Sequence, residues 1–95
     1  QPYLALGNQA YARGELADAV RWYRDGLEVD AQNPGLANNL ASVLGELGCP
    51  RTGESILRPL AANLASDSAW REIVASTLSE LSANTQPENF NCKQM

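Results

Sequence analysis

Few side chains in this chain can do chemistry, and none falls into a catalytic pattern. There is no histidine, which removes the commonest general base and the commonest transition-metal ligand. Without histidine, the two cysteines, Cys49 and Cys92, cannot build a usual structural zinc site or a cysteine–histidine nucleophile pair. Phosphate-cradling loops of the G-x-x-x-x-G-K-S/T and G-x-G-x-x-G types do not occur, nor does a G-x-S-x-G elbow. Carboxylates approach one another in places such as Asp25 and Glu28, but on a charged helix face they serve as solvating charge. The chain is therefore expected to be no enzyme, with no metal and no cofactor.

The cysteines admit two readings. Either they are unrelated free thiols, or a disulfide pins a polar tail to the turn after the third helix. A bridge closing a loop of this length contributes on the order of 3 to 4 kcal/mol if unstrained, and it belongs to an oxidising space.

Charge excludes two classes of partner. The net charge is -4 and Lys93 is the only lysine, so no basic patch is available to neutralise the phosphates of a nucleic acid or an anionic membrane surface. No apolar run approaches the roughly 20 residues that cross a bilayer, so no membrane insertion is expected. The opening at Gln1, without a methionine, reads as a processed chain or an excised domain.

The elements follow from apolar spacing. A first helix is predicted over Pro2–Arg13, with Leu6, Gly7, Ala10 and Tyr11 on one face. Gly14-Glu15 makes a turn, and a second helix over Leu16–Val29 carries Leu16, Ala19, Val20, Tyr23 and Leu27 inward. The small residues Gly7, Ala10 and Ala19 leave room for the rings of Tyr3, Tyr11 and Tyr23, as closely packed antiparallel helices require. Those tyrosines and Trp70 are expected in or beside the core, and Trp22 partly exposed. On the outer face Asp18 with Arg21 and Arg24 with Glu28 stand at ion-pair spacing.

Asn33-Pro34 reads as a cap and first helical position, opening a third helix to Leu47 with Leu36, Leu40, Val43, Leu44 and Leu47 apolar. A fourth starts at Pro50, with Gly53 and Pro59 inside it. Pro59 is expected to kink or interrupt it, an effect of about 3 kcal/mol in a regular helix interior. Ser66-Asp67-Ser68 caps a fifth, Ala69–Ser82, with Trp70, Ile73, Val74, Leu78 and Leu81 apolar. Beyond it lies a polar, extended tail, tethered through Phe90 and Cys92.

The order aromatic, Leu-Gly, Tyr, Gly, Ala, Tyr in YLALGNQAYARGELADAVRWYRDGL, residues 3–27, resembles the tetratricopeptide repeat (TPR). A shift of 34 positions places Leu6 on Leu40, Gly7 on Ala41 and Gly14 on Gly48, the period of that family. The resemblance implies an all-α fold: antiparallel helix pairs stacked as a short right-handed α-solenoid of about five helices. Repeat one would cover 1–33, repeat two 34–66 and a capping helix 67–82, with the tail at 83–95. It also implies a module that binds a peptide or partner protein in a concave groove lined by the first helix of each pair. Carried across, the groove positions are Leu4, Ala5, Asn8, Ala12, Asn38, Asn39, Ser42 and Glu46. Asparagine can pair with a peptide backbone as donor and acceptor, and Asn8 and Asn39 match asparagines of the subgroup that grips a C-terminal carboxylate. Leu4 stands where that subgroup has lysine, which points to another ligand.

Two rival roles are open. Two repeats fall short of the three usual for a stable solenoid, so the domain could be an assembly element that self-associates as a homo-oligomer. The run NNLASVLGELGC, residues 38–49, is also similar to repeats accompanying papain-like peptidases of the bacterial envelope, which implies an accessory domain and a periplasmic or envelope setting. The alternative setting, with free thiols, is cytoplasmic.

Overall fold

The computed structural model describes residues 2–95, and at Phe90 the backbone alone. Gln1 and the Phe90 side chain, and with it the expected Phe90 tether, lie outside the described residues. The fold is all-helical: α1 (Tyr3–Ala12), α2 (Leu16–Val29), α3 (Pro34–Glu46), α4 (Pro50–Ala62) and α5 (Trp70–Ala83), followed by the 3-10 helix η1 (Phe90–Gln94). Consecutive helices pack on one another, and α3 also packs on α1 and α5. The result is a small stack in which α1, α3 and α5 line one side, with α2 and α4 behind them.

A repeat of 34 residues is written into the turns. Gly14 and Gly48 both hold positive φ, +78° and +85°, a conformation that glycine adopts at little steric cost. Around the first, Glu15 N donates to Ala10 O and Gly14 N to Tyr11 O. Around the second, Cys49 N donates to Leu44 O and Gly48 N to Gly45 O. Each bond maps onto its counterpart at the same offset, and each satisfies carbonyls that a helix end would otherwise leave bare.

Helix α3 organises the core because both of its flanks are covered. Leu36, Leu40, Val43 and Leu44 join Ala10, Ala19, Val20 and Tyr23 in one cluster, while Ala37 and Ala41 join Leu57, Leu60, Val74 and Leu81 in another. Its start follows the sequence: Asn33 Oδ1 accepts from Leu36 N at 3.1 Å, with Pro34 in the first turn. Close approach depends on glycine. A Cβ on Gly7 would run into the Tyr23 ring, and one on Gly53 would lie 2.8 Å from the Ala41 carbonyl oxygen. Gly53 is the point where α4 touches the α3 backbone.

Several expectations are corrected. Pro59 does not interrupt α4, which runs on to Ala62. Pro59 and Ser55, whose carbonyl loses its amide partner, are both exposed, so water can satisfy that oxygen. Tyr11 is 42% and Ile73 47% exposed; neither is a core residue, and Tyr11 opens instead onto a cavity that α1 shares with α3. Arg21 pairs with Asp18 at 3.4 Å, but no ion pair joins Arg24 to Glu28 among the described residues.

The tail is a strap and not a free extension. Cys49 and Cys92 are joined by a disulfide, Cα–Cα 5.5 Å, and both are buried in the first core cluster. Cys49 precedes α4 and its side chain does not cap it. Glu88 does so from the tail, accepting from Thr52 N at 2.7 Å and Thr52 Oγ1 at 3.0 Å. A carboxylate there also meets the positive end of the helix dipole. Arg51 holds the start of the strap by donating to the carbonyls of Leu81 and Asn84.

Candidate functional site

Two adjoining cavities lie on the side lined by α1, α3 and α5. The first, ≈ 180 Å³, is bounded by Asn8, Tyr11, Tyr23, Asn39, Ser42 and Val43. The second, ≈ 310 Å³, lies between α3 and α5 and includes Ser42, Glu46, Thr77, Glu80 and Asn84. Ser42 belongs to both, so they form one groove, and Ser42 stands 34 residues after Asn8. The repeat thus places equivalent polar side chains along its floor.

An amide-phenol network fixes the first half of the groove. The Tyr23 hydroxyl donates to Asn8 Oδ1 at 2.6 Å, and Asn39 Nδ2 donates to the same oxygen at 3.0 Å. Burial raises the Tyr23 phenol above its ordinary pKa, with the Asn39 amide opposing, so the ring stays protonated and remains a donor at neutral pH. The Glu46 carboxylate beside Tyr11 likewise raises that phenol. Asn8 and Asn39 are held in one orientation before any ligand arrives, which reduces the side-chain entropy a ligand must offset.

The other expected groove residues divide. Asn8, Asn39, Ser42 and Glu46 line the two cavities. Ala5 and Ala12 are exposed on α1 outside the lining, and Leu4 is half-buried against the first core cluster. Asn38 is 7% exposed and its Oδ1 is buried without a hydrogen-bond partner, so it lies within the protein body and not on the groove floor. Sequence reasoning missed Tyr11, Thr77, Glu80 and Asn84. The spacing of Tyr11 places it in or beside the core, while the α5 residues require knowing that α5 closes the groove.

Among the described residues no group of three or more histidine, cysteine or acidic side chains could hold a metal ion, and both cysteine sulfurs are consumed in the disulfide. The one buried carboxylate among the described residues, Glu54, lies on α4 away from the groove. It pairs with Arg51 at 2.6 Å and with Arg58, and Ser82 Oγ donates to it at 2.9 Å, tying α4 to α5. No helix among the described residues is long and apolar enough to cross a membrane. Comparison with family models, curated proteins and solved structures gave no match.

Proposed function

We propose that this chain is a non-catalytic interaction module of the TPR type that binds an extended peptide or partner segment in the groove of α1, α3 and α5. The observation that carries this reading is the pre-oriented pair Asn8–Asn39, opening beside Tyr11 onto a groove continued by Ser42. Amide groups fixed in this way can read a peptide backbone irrespective of its side chains. The charged residues lining the groove are Glu46 and Glu80, which fits a partner other than a carboxylate-ended peptide.

Peptides selected from a random display library against the wild-type domain would test this. Ser42→Trp fills the junction of the two cavities and Asn39→Ala removes one of the two oriented amides, so both are expected to abolish capture while the melting temperature stays near wild type. Peptides that bind Ser42→Trp as well as the parent exclude the groove.

One observation favours assembly as a second reading. Among the described residues no further antiparallel helix follows α5, and Ala61, Leu64, Val74, Ala75 and Leu78, with Arg71, line a shallow, largely apolar cleft between α4 and α5. Another copy, or the remainder of a larger envelope protein, would cover it. Sedimentation across concentrations decides, since a monomer throughout argues against self-association. The disulfide supports an oxidising setting such as a bacterial periplasm, and intact mass before and after reduction of material from the native host checks it.

A further inference from the structure

A third groove lies on the opposite side of the stack, between α2 and α4. It measures ≈ 330 Å³ and is lined by Arg24, Leu27, Glu28, Leu40 and Ile56. Its floor, Leu40, is 1% exposed, and Leu27 and Ile56 are partly buried walls. Arg24 is the cation in it. Its stem packs into the protein far enough that Nε is sealed from solvent with no hydrogen-bond partner, and no carboxylate of the described residues comes within ion-pair distance of its guanidinium. Glu28, one helical turn on and in the same lining, is exposed and does not reach it.

A half-buried guanidinium without a counter-charge carries a desolvation cost that an ion pair would offset. Burial accordingly lowers the Arg24 pKa, although a guanidinium remains charged at any ordinary pH. The sealed atom is Nε, so the terminal nitrogens are the ones a ligand can reach, and their planar fork matches a carboxylate. Around them the walls are aliphatic. The volume sits at the lower end of small-molecule sites, roughly 300 to 1,000 Å³.

We propose that the α2–α4 groove binds a small amphiphilic monocarboxylate, its head on Arg24 and its hydrocarbon chain along Leu27, Leu40 and Ile56. Glu28 repels the head and weakens the site. The proposal is independent of peptide binding on the other side.

The test is an NMR titration of the intact, disulfide-bonded chain with sodium decanoate below micelle-forming concentrations, with 1-decanol and decyltrimethylammonium as matched probes. Decanoate is expected to shift the Leu27, Leu40 and Ile56 signals in a saturable way, while decanol binds roughly tenfold more weakly and the cation not at all. Arg24→Gln is expected to lower decanoate affinity by about tenfold without changing decanol affinity, and Glu28→Gln to raise decanoate affinity several-fold. Equal affinity for decanoate and decanol, shifts mapping outside these residues, or unchanged binding by Arg24→Gln overturns the proposal. Should Arg24→Gln unfold, Glu28→Gln carries the decision alone, because an unchanged decanoate affinity there excludes a head group beside Arg24.

Discussion

The Tyr23 hydroxyl of α2 reaches the Asn8 side chain of α1 and donates to it at 2.6 Å, while the Tyr23 ring lies where a side chain on Gly7 would have to be. One buried tyrosine thus sets the spacing of the first helix pair and the orientation of the groove amide above it. Packing and the proposed recognition share a residue there, which makes the two separable only by choosing substitutions on different sides of the ring.

Asn8→Ala is expected to destabilise the fold as well as weaken capture. It strands the Tyr23 hydroxyl, and a polar group left without its partner costs about 1–3 kcal/mol. Asn39→Ala leaves the Tyr23–Asn8 bond standing and is expected to fall within about 0.5 kcal/mol of wild type, as surface changes usually do. Urea unfolding of the two variants checks the difference.

Gly7→Ala and Gly53→Ala both insert a methyl group at a helix contact, but against different neighbours. At Gly7 the obstacle is the Tyr23 ring, and overpacking of this kind costs about 1–3 kcal/mol. At Gly53 it is the Ala41 carbonyl oxygen at 2.8 Å, which cannot rotate away, so α4 itself must move. Gly53→Ala is expected to show the lower denaturation midpoint of the two.

Glu54 supplies a pH dependence. The Ser82 hydroxyl, with Arg58 and Arg51, holds its carboxyl below the ordinary carboxylate value of about 4.5 against the opposing effect of burial. A folded-state pKa below the unfolded one means stability that is present above pH 4.5 and lost as pH falls from there through the folded value. Glu54→Gln is expected to be less stable at neutral pH and to flatten this acid limb, measured by urea unfolding at a series of pH values.

Reducing the Cys49–Cys92 bridge opens a loop of sequence separation 43, for which the chain-entropy relation gives about 4 kcal/mol. Release of the strap also removes Glu88 from the start of α4. Amide exchange at Thr52 is expected to accelerate on reduction more than at Leu36, whose cap comes from neighbouring Asn33. Equal acceleration at both would mean that the bridge acts only through global stability.

Much of the architecture was legible because it depends on short-range spacing. Helix α2 occupies the residues its apolar period marks out, Asn33 caps α3, and Gly14 and Gly48 take the conformation that a turn at each repeat demands. Periodicity says which residues share a face of one helix. It does not say how many faces will be covered. The family resemblance carries Asn38 to the groove, yet α3 is packed by α1, α2, α4 and α5, and its polar side chains that line the groove are Asn39, Ser42 and Glu46. Tyr11 differs in the other direction, since α1 and α3 leave a cavity beside it where close packing would have buried the ring.

The amino-acid order by itself determined the helix pairs, their period of 34 and the turns between them, because each is decided within a few residues by glycine, proline, capping and apolar spacing. Tertiary structure alone decided the rest. The Cys49–Cys92 bond, the Glu88 cap on Thr52, the groove shared by Arg24, Leu40 and Ile56 and the one shared by Asn8, Ser42 and Glu80 join residues from different elements. Their meeting depends on the angle and offset at which whole helices stack, and those come from the summed packing of every interface.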